Sequence, residues 1–209
     1  MKYELTKDSI IINGVQVYRI RACKAFAGVS IGEFGGYISS DANLSHAGRC
    51  WIGQNAVVYE NARVSGNAVV FEIAKVSGDA EIDGNASAGG NAVIGGHARI
   101  GENARISGAA RISGAARISG NARIGGNAEI GGNSWIFGDA EIRENAIIQG
   151  HVLIGGSAVV GGNAVVGGIA RIGGSAVVGG NARIGGIARI GGNARIGGNA
   201  RVINETIMK

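Results

Sequence analysis

Three histidines, His46, His97 and His151, are the side chains of this 209-residue chain best suited to moving a proton near neutral pH. His97 and His151 stand in equivalent sequence slots 54 residues apart, each replacing an Asn that recurs there. They are the candidates for a catalytic acid or base, with surface corner residues as the plainer reading. Cys23 and Cys50 are too few for a disulfide framework and neither lies in a CxxC pair, so Cys50 reads as a small core residue. A second kind of chemistry is anion binding. Arg99, Arg105, Arg111, Arg117 and Arg123 recur every sixth position, and Arg99, Arg105, Arg117 and Arg123 are its candidate contacts. The many Gly-Gly pairs are not phosphate loops, because no helix follows them and the Lys-Ser/Thr of a P-loop is missing.

Whatever positions these residues is a repeat. From Ile52 to Val202 an aliphatic residue returns every sixth position through 26 hexads without insertion or deletion; 17 are Ile, eight are Val and one is Ala88. Two residues earlier in each hexad, from position 56 to 200, the residue is Ala in 23 of 25 cases, the exceptions being Ser134 and Val152. Small, outward and large residues alternate with period two, so Ala194 and Ile196 face inward while Arg195 between them faces water. Each hexad therefore holds one very short strand, and its other three residues, typically Gly-Gly-Asn, form a corner. One Ile and one Ala bury too little apolar surface to offset the entropy of ordering six residues. Such strands must stack in parallel register, pairing their backbone groups and placing Ile over Ile, which predicts an all-β solenoid.

The unit aliphatic-Gly-x-x-small-x resembles the hexapeptide repeat of left-handed parallel β-helix proteins, over about three quarters of the chain. The resemblance implies three hexads in a triangular coil of 18 residues, a left-handed sense, and about 8 to 9 coils. A narrower likeness lies in Tyr18-Arg19-Ile20-Arg21-Ala22, Gly35-Gly36-Tyr37-Ile38, Asn43-Leu44-Ser45, Gly48, Cys50-Trp51-Ile52 and Asn55-Ala56-Val57-Val58-Tyr59. This string is similar to the N-terminal region of YdcK-type hexapeptide-repeat proteins, which are described as acyltransferases on the strength of their fold. That likeness implies an acyltransferase working at subunit interfaces, with acyl-coenzyme A as its only cofactor. Enzymes of the family use a His base and a loop that leaves the helix, and no such loop fits between 52 and 202 without breaking the phase. With 18-residue coils, His97 and His151 lie three coils or about 14 Å apart, too far to share one metal ion. The same coil size stacks Arg99 over Arg117, Arg105 over Arg123, Arg171 over Arg189 and Arg183 over Arg201. These arginines point from all three faces with no aromatic platform among them, which favours charge for solubility over polyanion binding.

The remaining sequence completes the plan. The first 50 residues read as an N-terminal cap, residues 51–203 as the β-helix and 204–209 as a short tail. Within the cap, Asn13-Gly14 between apolar runs signals a β-hairpin over residues 8–22 that covers the open first coil. Of the outward slots, Trp135, Ile147, Leu153, Val159, Val165 and Val177 are apolar, and Ile169 and Ile187 take the corner place of Asn, where positive φ would disfavour them. These eight residues are the expected self-association surface, giving a homo-oligomer, a dimer or trimer. The net charge of +5 comes largely from outward arginines. The amino terminus lacks a signal core and no apolar run is long enough to span a bilayer, so a cytoplasmic location without membrane partners is expected. Threonine ladders for ice binding are absent. The sequence thus favours a structural, assembly or binding rod with no resident cofactor or metal, and leaves the acyltransferase as the alternative.

Overall fold

The computed structural model describes residues 1–209 and shows one continuous parallel β-solenoid closed at its N-terminal end by antiparallel strands. Strand β1 (Tyr3–Ile12) and strand β2 (Val15–Ala22) form the expected hairpin, which begins earlier than residue 8. Its turn is Asn13-Gly14, with φ of 49° and 82°, the pair of positive values that matches the twist of a two-residue hairpin. Strand β3 (Phe34–Ile38) pairs antiparallel with β2 and parallel with Val57–Val58, carrying the chain from the hairpin into the solenoid.

From Trp51 onward each hexad contributes one two- or three-residue strand, and strands 18 residues apart pair in parallel register. Ile100, Ile118, Ile136, Ile154, Ile172 and Ile190 therefore stand in one column. The sheets have 12, 9 and 9 strands and make the three faces of a prism. We call them the hairpin face, which contains β1 to β3 and Val57–Val58, the Trp51 face and the Trp135 face. The ladder runs from each N–H to a carbonyl 17 residues on, as from Ile147 to Ala164 at 2.9 Å. Every one of the repeating aliphatic residues is buried except Ile196, which is half-buried in the last rung. In the small inward slot Val152 is fully buried, and Ser134 is too, its hydroxyl donating to the carbonyl of Gly131. After Val202 the chain still belongs to the prism: Thr206–Met208 pairs with Arg189–Gly191 on the Trp135 face.

The corners explain why the hexad needs its glycine. The residue two places after each inward aliphatic is the one at positive φ, as at Gly108, with φ of 66°. The following residue, the Asn position, does not share that conformation. Ile169 and Ile187 are therefore unstrained: the left-handed residues beside them are Gly168 and Gly186, so the backbone penalty anticipated for these isoleucines does not arise.

Candidate functional surfaces

His46 is the histidine with the most organised surroundings. Its ring stacks on Tyr3 with centroids 4.4 Å apart, and its Nδ1 accepts the backbone N–H of Lys2 at 3.2 Å. The ring proton therefore sits on Nε2, 3.1 Å from both carboxylate oxygens of Asp41. With both nitrogens engaged, no lone pair is free to accept a substrate proton. The carboxylate–histidine pair instead pins the first residues of the chain over the end of the core. Beside it, Lys2 is 1% exposed, and its ammonium donates to the carbonyl of Cys50 at 2.9 Å and to the Cys50 sulfur at 3.1 Å. The Tyr3 hydroxyl donates to the carbonyl of Leu44 at 2.7 Å; burial first, then Asp41, pushes this phenol's pKa well above its ordinary value. A cavity of about 550 Å³ opens beside this plug, between His46 and Arg63, Glu81 and Asp83.

His97 and His151 sit elsewhere, in the corner row between the hairpin face and the Trp135 face, and both are exposed. His97 Nδ1 lies 3.2 Å from the Asp79 carboxylate of the preceding coil. His151 is followed in the same row by Ile169 and Ile187. No group of three or more His, Cys, Asp or Glu side chains converges to hold a metal ion.

The arginines stack in the anticipated registers: Arg99 with Arg117, Arg105 with Arg123, Arg171 with Arg189 and Arg183 with Arg201. Several meet a carboxylate on the next coil. Arg99 pairs with Glu81 at 3.4 Å, Arg111 with Glu129 at 3.6 Å and Arg123 with Glu141 at 3.7 Å. These pairs are exposed and each is worth little, but they cancel much of the field along the first half of the rod.

The eight apolar outward residues divide among the faces. Ile147 and Val165 lie on the hairpin face, Val159 and Val177 on the Trp51 face, and Trp135 and Leu153 on the Trp135 face. Ile169 and Ile187, 55% and 63% exposed, occupy the corner between the first and third of these. Six of the eight thus surround one edge of the prism, while Val159 and Val177 face away from it.

An aromatic step also breaks the arginine rows, contrary to the expectation from sequence. Trp135 and Phe137 pack at 5.1 Å on the Trp135 face, between Arg99 and Arg117 on one side and Arg171 and Arg189 on the other. An aromatic residue 18 positions before a corner Gly, as Phe137 stands to Gly155, is the signal that would have revealed it. No protein-family model matches this chain, and no curated protein does. No helix is long and apolar enough to cross a membrane.

Proposed function

We propose that the protein is a non-catalytic rod of the hexapeptide-repeat type whose function is assembly, and that it associates with further copies along the edge formed by Ile147, Val165, Ile169 and Ile187. The observation that carries this reading is the pair of exposed isoleucines, Ile169 and Ile187, stacked at a corner of an uninterrupted coil. They contribute nothing to the core, and equivalent apolar edges can bury one another in a closed dimer or trimer. The unbroken repeat supports the same reading, since a convergent site on this scaffold needs a loop that leaves the coil, and none does between Ile52 and Val202.

Light scattering on the purified protein tests this. The wild type should be oligomeric at micromolar concentration, and Ile169→Lys combined with Ile187→Lys should be monomeric with unchanged β-type circular dichroism. A monomeric wild type overturns the assembly reading. Incubation with acyl-coenzyme A and a panel of amines and alcohols should give no turnover; turnover lost in His97→Ala or His151→Ala would replace the rod with an acyltransferase.

A further inference from the structure

Gly155, Gly173 and Gly191 follow one another at 18-residue intervals along the Trp135 face, each as the first residue of a corner. Two of the three are covered from within the chain. A Cβ added to Gly155 would run into the Phe137 ring, and one added to Gly191 would run into the Met208 side chain. The same arrangement recurs on the Trp51 face, where the Phe71 ring covers Gly89. A glycine at this place in the hexad is thus a seat for a flat or polarisable group from the neighbouring coil. Gly173 is such a seat left open: a Cβ there would meet no atom within 4 Å.

The open seat is walled. It lies in a cavity of about 570 Å³ with Phe137 at one end, Met208 at the other, and Leu153, Arg171 and Arg189 alongside. Phe137 and Met208 cover glycines two coils apart, about 9.6 Å at sheet spacing, which leaves room for one aromatic ring between them. Open glycines elsewhere lack this frame: Gly179, on the Trp51 face, has neither an aromatic nor a thioether wall.

Charge decides what kind of ring. Arg171 and Arg189 pair in register, about 4.8 Å apart, and neither forms an ion pair. The coil before them presents Leu153 and the coil after presents Thr206, so no carboxylate flanks the pair. The surroundings are equally unbalanced. Residues 145–209 hold six cations, Arg171, Arg183, Arg189, Arg195, Arg201 and Lys209, against one carboxylate, Glu205, so the whole net charge of +5 resides there. Two adjacent guanidiniums without a counter-charge repel each other and suit a dianion. A phosphate monoester carries about −1.5 to −2 charges at neutral pH and accepts the paired N–H groups of Arg bidentately.

We propose that this trough binds an aromatic phosphate monoester of the nucleotide class, its ring seated on Gly173 between Phe137 and Met208 and its phosphate on Arg171 and Arg189. The ring completes the row of covered glycines, and the phosphate neutralises the stacked arginines. The site is separate from the association edge, since Ile169 and Ile187 line the corner and Gly173 lies on the face.

Calorimetric titration with adenosine monophosphate tests the proposal, with adenosine and inorganic phosphate as separate titrants. The nucleotide should bind saturably and more tightly than either half. A 5′-phosphorylated oligonucleotide, against the same oligonucleotide without its phosphate, distinguishes a free nucleotide from a strand end as the source. Gly173→Val should fold normally, because its side chain enters open space and the residue does not have positive φ, and should abolish binding. Arg171→Gln should weaken binding about tenfold, the order expected for one charge-assisted contact. Gly179→Val, an equally open glycine on another face, should leave binding unchanged. Undiminished nucleotide binding in Gly173→Val, equal affinity for phosphate alone, or no saturable binding at millimolar nucleotide would each overturn the proposal. The Ile169→Lys/Ile187→Lys variant should bind the nucleotide as the wild type does, so the outcome does not depend on whether the rod assembles.

Discussion

Gly108 shows how tightly single residues are held in this coil. A Cβ on it would lie 2.6 Å from the carbonyl oxygen of Gly126, at a φ of 66° that a non-glycine residue resists. Yet Glu72, Glu102 and Glu144 occupy equivalent positions at similar φ. The geometry shows how they fit. The corner bond between coils is 2.7 Å after Gly108, from Ala109 N–H to Gly126, but 2.9 Å after Glu102 and 3.2 Å after Glu72, so the added Cβ pushes the coils apart. The carboxylate then bridges the gap: Glu102 accepts the N–H of Gly120 at 2.6 Å. Gly108→Ala should therefore destabilise the protein by about 2 kcal/mol. Gly108→Glu should cost less, because its carboxylate can reach the N–H of Gly126. Urea unfolding compares the two, and equal losses would remove the carboxylate bridge as the compensating contact. In the core the demand is simpler. Ile118 is 1% exposed, so Ile118→Asp places an unpaired charge between coils and should abolish the β-type circular dichroism signal.

At the scale of elements, the corners and the cap carry what the two-residue strands cannot. Between the Trp51 and hairpin faces, Asn127, Asn145, Asn163, Asn181 and Asn199 form a ladder in which each amide donates to the next at 3.0 to 3.1 Å. A second ladder from Asn67 through Asn85, Asn103 and Asn121 to Asp139 lines the corner between the Trp135 and Trp51 faces. The third corner departs from this pattern at His97, Ala115, His151, Ile169 and Ile187, and it is the corner assigned here to association. Asn163→Ala breaks two rungs of a ladder and should cost about 1–2 kcal/mol in thermal or urea unfolding, more than Ser175→Ala in the other row. The cap has its own pH signature. Because the folded state raises the pKa of Tyr3, it holds the phenolic proton where the unfolded chain has lost it. The contribution is intact below about pH 10 and is lost as pH rises beyond that. Tyr3→Phe should be less stable at neutral pH, leaving the Leu44 carbonyl without its donor, and should show a shallower loss of stability between about pH 10 and 11.

Across the whole molecule the charges are segregated along the rod. Residues 1–144 contain 14 cations and 14 carboxylates, so the N-terminal two thirds are neutral and the remainder carries the full +5. In that remainder Arg171 faces Arg189 and Arg183 faces Arg201 across single rungs, with no intervening carboxylate. Self-repulsion there should fall as salt shortens the screening length from about 30 Å at 0.01 M to about 8 Å at 0.15 M. The melting temperature should therefore rise over this range. Arg189→Gln should raise it at low salt and blunt the salt response, whereas Arg111→Gln, which loses a Glu129 partner, should not raise it.

The repeat alone determined the solenoid, the inward columns and the 18-residue stacking, because a six-residue period with two buried slots leaves the backbone one way to pair and the core one way to close. Ile118, Cys50 and the Asn13-Gly14 hairpin were legible for that reason: each is governed by neighbours within its own hexad, coil or turn. Other features were decided only by the tertiary structure, since they depend on what a coil places beside residues 18 or more positions away. The plug of Lys2, Tyr3 and His46 joins residues more than 40 positions apart, and no period announces it. The conformation of Ile169 and Ile187 turned on which of three corner residues takes positive φ, a choice that composition leaves open because glycine occupies two of the three places. The aromatic step at Trp135 and Phe137, and the open glycine beyond it, appear when the arginines are sorted by face, for a side chain's neighbours in a coil are set by the stacking and not by the chain.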